Sequence, residues 1–163
     1  MAITSHPPKK FLKPLLLFGI LNFSALALGG LFTGPGVRSD WYQHLQQAPW
    51  TPPGWVFGFA WTLIMVCYSF FLAIKFIQNK FNRTEWIGYG LSWSLNVLWN
   101  PVFFHLHQTW IALFLLSALL AELLREFLSA PKPLQTARFL LSPYILWLFI
   151  ACSLNLYICL NNP

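Results

Sequence analysis

Charge is what this sequence lacks. Only 9% of its 163 residues are Asp, Glu, Lys or Arg, against roughly 25% in a soluble domain. So few charges cannot cover a globule of this size, which excludes a soluble globular protein. Acids are scarcest: Asp40, Glu85, Glu122 and Glu126 are all there are. Cysteine is nearly missing too. Cys67, Cys152 and Cys159 sit in apolar segments and form no CxxC pair, which excludes a disulfide framework and a thiolate metal site. There is no Gly-rich phosphate loop and no Ser/His/Asp set. Ordinary phosphoryl- and acyl-transfer machinery is therefore excluded. So is disorder, which needs low hydrophobicity with high net charge.

What is present is apolar and aromatic. Hydrophobic types make up 57%, aromatics 18%, and nine residues are Trp. The chain reads as an all-α integral membrane protein of a single domain, with apolar runs at residues 14–34, 54–77, 85–104, 109–128 and 137–160. Each run has the roughly 20 residues that a bilayer crossing requires. Continuous runs favour helices over the alternating pattern of a barrel. A secretory signal is a rival reading of the first run, because Lys9, Lys10 and Lys13 precede it and Ala25-Leu26-Ala27 resembles a cleavage site. The run continues through Leu28, Leu31 and Phe32, however, beyond the core of a signal peptide. Residues 1–8 are too short and lack the arginine of a targeting peptide.

With five spans, nine of the ten Lys and Arg residues fall on one side, and only Arg38 falls on the other. This bias places the N-terminus on the cytoplasmic side. The net charge of +6 then belongs to the basic face of a membrane protein, and no nucleic-acid partner is expected.

The connections are unequal. Residues 105–108 make a tight turn, whereas residues 35–53 form a long loop, the kind that is functional or disordered in compact domains. Trp41, Tyr42 and Trp50, with Pro35, Pro49, Pro52 and Pro53, make it an ordered lid. An interfacial aromatic belt accounts for Trp55 and Trp110, but less well for a proline-fixed loop.

In the third span Trp86, Tyr89, Trp93, Asn96, Asn100, Phe103 and His107 recur at helical spacing on one stripe. The two asparagines need partners, either a neighbouring helix or a ligand. Pro101 should bend this helix. Gly30 with Gly34, and Gly54 with Gly58, are small-xxx-small pairs that favour close helix approach. In the last span Pro143, Trp147, Ala151 and Leu154 share a face. Small Ala151 beside large Trp147 leaves room for a flat ligand, although core packing explains the same residues. Glu122 and Arg125 are spaced to pair; with Glu126 they read as an ion cluster at the charged end rather than a proton relay. His44, His105 and His107 have no ligand spacing and read as interfacial, not as haem or metal ligands.

Three runs of residues carry a resemblance. Trp41-Tyr42-x6-Pro49-Trp50-Thr51-Pro52-Pro53-Gly54, followed by Phe57-Gly58-x2-Trp61, resembles the signature of the TspO/MBR family, the tryptophan-rich sensory proteins related to the translocator protein or peripheral benzodiazepine receptor. Leu95-Asn96-x2-Trp99-Asn100-Pro101-x-Phe103-Phe104 and Pro143-Tyr144-x2-Trp147-x3-Ala151-x2-Leu154-Asn155 resemble its third- and fifth-helix motifs. The order is the family's, and nearly the whole chain is covered.

The resemblance implies a bundle of five transmembrane helices, usually a homodimer, with a pocket closed by the first loop. It implies binding of protoporphyrin IX or another tetrapyrrole, and of benzodiazepine- or isoquinoline-type drugs, with no required cofactor. The pocket residues it implies are Trp41, Tyr42, Trp50, Trp61, Asn96, Asn100, Trp110, Trp147, Ala151 and Leu154. It also implies that, if the porphyrin is degraded in light as in some bacterial members, Trp61 and Trp147 carry that step. Two departures stand out. A family acid early in the fourth helix is replaced near Leu115. No Lys or Arg follows Tyr157, so the C-terminal sterol pattern is incomplete, while a looser reversed pattern, Lys13-x4-Phe18-x2-Leu21, is present. A membrane receptor for tetrapyrroles is the leading reading. Transport is the weaker alternative, since no internal repeat or broken-helix pair is seen.

Overall fold

The computed structural model describes residues 8–162, all helix, turn and connection with no strand among them. The side chain of Lys9 and residues 1–7, on which the charge tally and the targeting reading partly rest, lie outside the described residues. Helix α1 spans Pro8–Gly36. It starts before the expected residue 14, because the Lys-Phe-Leu stretch ahead of Pro14 is itself helix-forming and Pro14 removes one bond without ending the helix. A short helix, α2, spans Asp40–His44 within the long loop. Helix α3 spans Gly54–Ile77, α4 Arg83–Phe104 and α5 Thr109–Leu128. The side chain of Asn82 caps α4 by accepting the Glu85 amide at 3.0 Å, which moves its start ahead of the expected residue 85. The fifth run does not begin as α-helix. Residues Ala137–Leu141 form a 3-10 turn, and α6 spans Ser142–Asn161. Pro143 explains the change, since proline suits the first turn of an α-helix, where its missing N–H costs nothing.

Three segments, Lys10–Gly36, Gly54–Ile77 and Ala137–Asn161, are long and apolar enough to cross a membrane. Helices α4 and α5 have comparable lengths, 22 and 20 residues. Asn96 and Asn100 dilute the apolar content of α4, and Glu122, Arg125 and Glu126 dilute that of α5.

The five long helices form a ring in the order α3, α1, α4, α5, α6, closing back on α3 through the 3-10 turn. The close approaches inside it are not those expected. A Cβ at Gly30, Gly34, Gly54 or Gly58 would meet nothing within 4 Å, whereas one at Gly29 would lie 2.5 Å from the Asn100 side chain. Gly29 therefore lets α1 meet α4, as does Gly36, where a Cβ would run into the Phe104 ring, and the paired glycines have open space beside them. Polar side chains tie the ring together. Asn22 donates to Ser69 at 2.9 Å and accepts from Tyr89 at 2.9 Å, joining α1 to α3 and α4. Trp93 donates to the Leu21 carbonyl at 2.9 Å.

At the end away from the lid, Lys75 is 5% exposed and donates to Glu85 and to Glu126, the latter at 2.6 Å. Three helices meet at this buried triad. Glu122 and Arg125 pair through two bonds, 2.8 and 2.5 Å, as their spacing implied, but Glu126 turns inward to Lys75 instead of joining them. The three cysteines are unpaired.

Candidate functional site

The lid is built from its own caps. Ser39 accepts the Tyr42 amide at 3.3 Å and donates to the Gly36 carbonyl at 2.7 Å, which nucleates α2 directly after α1. That short helix turns Trp41 and Tyr42 onto the end of the bundle. Trp41 stacks on His107 with centroids 4.1 Å apart and planes 16° apart, and meets Phe103 edge-on at 5.5 Å. Tyr42 packs on Phe104 at 5.6 Å, and burial pushes its phenol above the ordinary tyrosine value. His107 is not on the α4 stripe as its spacing suggested. Helix α4 passes through Pro101 and ends at Phe104, and His107 stands in the following turn with φ of 55°. That left-handed residue lets the Gln108 amide return to the Val102 carbonyl at 3.0 Å and lays the imidazole against Trp41.

The far side of the lid is fastened to α6. The Gln46 amide donates to Asn162 Oδ1 at 2.8 Å, and Asn162 Nδ2 donates to the Gln46 carbonyl at 3.2 Å. Trp50 donates to Ser153 Oγ at 3.2 Å and sets its ring edge-on to Tyr157 at 5.4 Å. Between the lid and the start of α5 is an open cleft of about 400 Å³ bounded by Trp41, Leu45, His107, Gln108, Thr109, Trp110, Cys159 and Asn162. Of the expected pocket residues, Trp41 and Trp110 border it. Trp50 and Trp110 are 54% and 58% exposed, so each keeps an aromatic surface free.

The remaining expected residues lie deeper. Trp147 is buried with Phe57 edge-on at 5.2 Å, and Trp61 meets Tyr144 at 5.8 Å. Asn96 donates to the Tyr144 hydroxyl. Thr33 donates to Asn100 Oδ1 at 2.6 Å, and Asn100 Nδ2 donates to the Asn96 carbonyl at 3.0 Å. Both asparagines thus have partners on neighbouring helices. Ala151 is half-buried and packs on the core, and Leu154 is buried. The expected residues therefore fall into two groups: an open aromatic cleft at the edge of the lid, and an aromatic and amide layer deeper in the bundle.

Several residues of this arrangement escaped the sequence reading. The stacking role of His107 depends on a turn conformation that no spacing encodes. Asn162 and Ser153 fasten the lid from the end of α6. Trp99 donates to Asn155 Oδ1 at 3.2 Å, and Asn155 donates to the Thr109 carbonyl at 3.0 Å. Those two were visible only as letters of a motif. His44, His105 and His107 do not gather; among the described residues no three His, Cys, Asp or Glu side chains are placed to hold a metal ion.

What the arrangement can do chemically is bind. It offers indole and phenol faces for a flat apolar ligand, amide and hydroxyl groups for a polar edge, and a lid held by a few weak bonds.

The sequence model of the TspO/MBR family matches residues 17–160. The tryptophan-rich sensory protein of Cereibacter sphaeroides is 29% identical over 136 residues, covering 83% of this chain and 85% of that one. The tryptophan-rich protein TspO of Archaeoglobus fulgidus is 30% identical over 149 residues, covering 90% and 96%. The translocator protein of Ovis aries is 31% identical over 130 residues, covering 75% and 73%.

Proposed function

Because this chain belongs to the TspO/MBR family, a family of membrane proteins, we propose that it is a membrane-embedded receptor for a tetrapyrrole such as protoporphyrin IX. In this reading it acts as a sensor, regulator or translocator, with five membrane spans and a cytoplasmic N-terminus. The observation that carries the reading is the aromatic cleft at the edge of the lid, bordered by Trp41, His107 and Trp110. A macrocycle is flat and apolar, and stacking on indole faces suits it. The cleft, open on one side and about 400 Å³ in volume, is at the small end of ligand pockets. A tetrapyrrole therefore requires the lid to lift, and the few bonds at Asn162 and Ser153 make that inexpensive. Trp61, Trp147, Asn96, Asn100, Ala151 and Leu154 form the floor reached once it does. Arg38, at the lid end, attracts the anionic propionates.

Five spans are supported by the ring, in which α4 and α5 match the apolar helices in length and packing. Benzodiazepine- and isoquinoline-type drugs are flat aromatics and fit the same surfaces. A homodimer is part of the proposal, and the open space beside Gly30, Gly34, Gly54 and Gly58 leaves room for a closely packed second helix.

A second reading is light-dependent breakdown of the bound porphyrin through Trp61 and Trp147. The contact of Trp61 with Tyr144, itself next to Tyr68 at 5.6 Å, favours it by giving a tryptophan radical an aromatic neighbour. One experiment addresses both. Protoporphyrin is titrated into wild-type protein and into Trp61→Phe/Trp147→Phe, then illuminated. Weaker binding by the variant supports the pocket, and unchanged binding misplaces it. An unchanged porphyrin spectrum after illumination excludes the enzyme reading.

A further inference from the structure

We propose that the foot of α5 and α6 is a binding site for the phosphate of an anionic phospholipid, anchored by Arg138. The site lies at the opposite end from the lid and depends only on the bundle lying in a bilayer. Arg138 stands in the 3-10 turn that leads into α6. Its guanidinium lies 4.9 Å from the Phe127 ring and 5.4 Å from the Phe139 ring. Among the described residues nothing accepts a hydrogen bond from it, and its Nε is enclosed without a partner. The two Nη nitrogens are not among the enclosed unpartnered atoms, and the residue is half-buried, so part of the fork stays reachable.

No acid in the chain neutralises this charge. Glu85 and Glu126 are taken by Lys75, Glu122 by Arg125, and Asp40 is at the lid end. A guanidinium stacked on aromatic rings keeps its in-plane donors, and that planar fork matches two oxygens of a phosphate. The flanks identify the rest of the ligand. Phe139, one of the two clamping rings, is 60% exposed, so the ligand that covers the site carries hydrocarbon beside its anion. A phospholipid meets both demands, whereas a free phosphate meets only one. Lys132 is exposed in the same connection. Lys80, between α3 and α4, and Arg83, the first residue of α4, are also exposed but have no aromatic clamp, which makes them the natural comparison.

The test uses the full-length protein in phosphatidylcholine vesicles doped with spin-labelled phosphatidylglycerol or spin-labelled phosphatidylcholine. The readout is the motionally restricted fraction of each label. Wild type retains phosphatidylglycerol in preference. Removing one cation from a site at an anionic surface costs about fivefold in retention, so Arg138→Gln loses about that much while Lys80→Gln does not. Arg138→Lys, which keeps the charge and loses the fork, falls between and serves if Arg138→Gln fails to fold. Equal losses in Arg138→Gln and Lys80→Gln overturn the site in favour of a diffuse field. No loss in Arg138→Gln, or wild-type retention in Arg138→Lys, overturns it as well. Displacement of the labelled lipid by inorganic phosphate overturns the lipid as ligand.

Discussion

Replacing Lys75 by methionine should be far more damaging than replacing its partner Glu126 by glutamine. Lys75 is 5% exposed and Glu126 is 9% exposed, and the Glu85 side chain is 24% exposed. The triad therefore holds one cation against two carboxylates. Lys75→Met preserves bulk but leaves the two carboxylates facing one another with nothing between. Removing one partner of a buried ion pair costs about 3–5 kcal/mol, and the partial exposure of Glu85 places the expectation near the lower end. In a chain of this size each kcal/mol lowers Tm by about 2–4 °C, so a loss of about 6–12 °C is expected. Glu126→Gln instead leaves a neutral Lys75–Glu85 pair and an amide that still accepts from Lys75. Its cost should be about 1 kcal/mol, comparable to a single hydrogen bond. Lys75→Met/Glu126→Gln should regain part of the stability, because only the more exposed carboxylate then stays unpaired. Thermal unfolding of the detergent-solubilised protein, followed by tryptophan fluorescence, reads all three. A Glu126→Gln loss as large as that of Lys75→Met would refute the charge reasoning.

Other outcomes follow from the same geometry. Gly29→Ala places a Cβ 2.5 Å from Asn100 Nδ2, and Asn100 is pinned by Thr33 and Asn96; a loss of about 1–3 kcal/mol is expected, while Gly19→Ala, with open space around its Cβ, does not lower Tm. Asn162→Ala removes both bonds to Gln46, each worth about 0.5–1.5 kcal/mol; amide exchange of residues 37–50 should rise about tenfold without a change in Tm. Burial holds the Tyr42 phenol above its ordinary 10.0, so the closed lid favours the neutral form. Its contribution to closure is complete below pH 10 and is lost as pH rises through the higher folded-state value. Tyr42→Phe should remove that alkaline opening, read by the same exchange measurement.

The sequence made the helices and the ends of the bundle legible, because hydropathy and Lys/Arg placement depend on the bilayer more than on packing. It also pointed to the lid, since prolines and tryptophans crowd residues 41–53. Spacing was less reliable wherever a three-dimensional neighbour decides the outcome. The glycine pairs at 30/34 and 54/58 looked like contact motifs, yet Gly29 and Gly36 make the contact within the bundle, because only the rotation of α1 against α4 determines which glycines face Asn100 and Phe104. His107 continued a helical stripe on paper, but the helix had already ended. Glu126 was one step from Arg125 in sequence and bonded to Lys75 across two helices.

The central claim is that the cleft at the edge of the lid is the mouth of a tetrapyrrole site. Titration of the reconstituted protein with protoporphyrin IX, read by quenching of tryptophan fluorescence against empty vesicles, tests it most directly. Saturable quenching that weakens when Trp41 and Trp110 are both replaced by Phe is the predicted result. Quenching that rises linearly with porphyrin, as in empty vesicles, would contradict it.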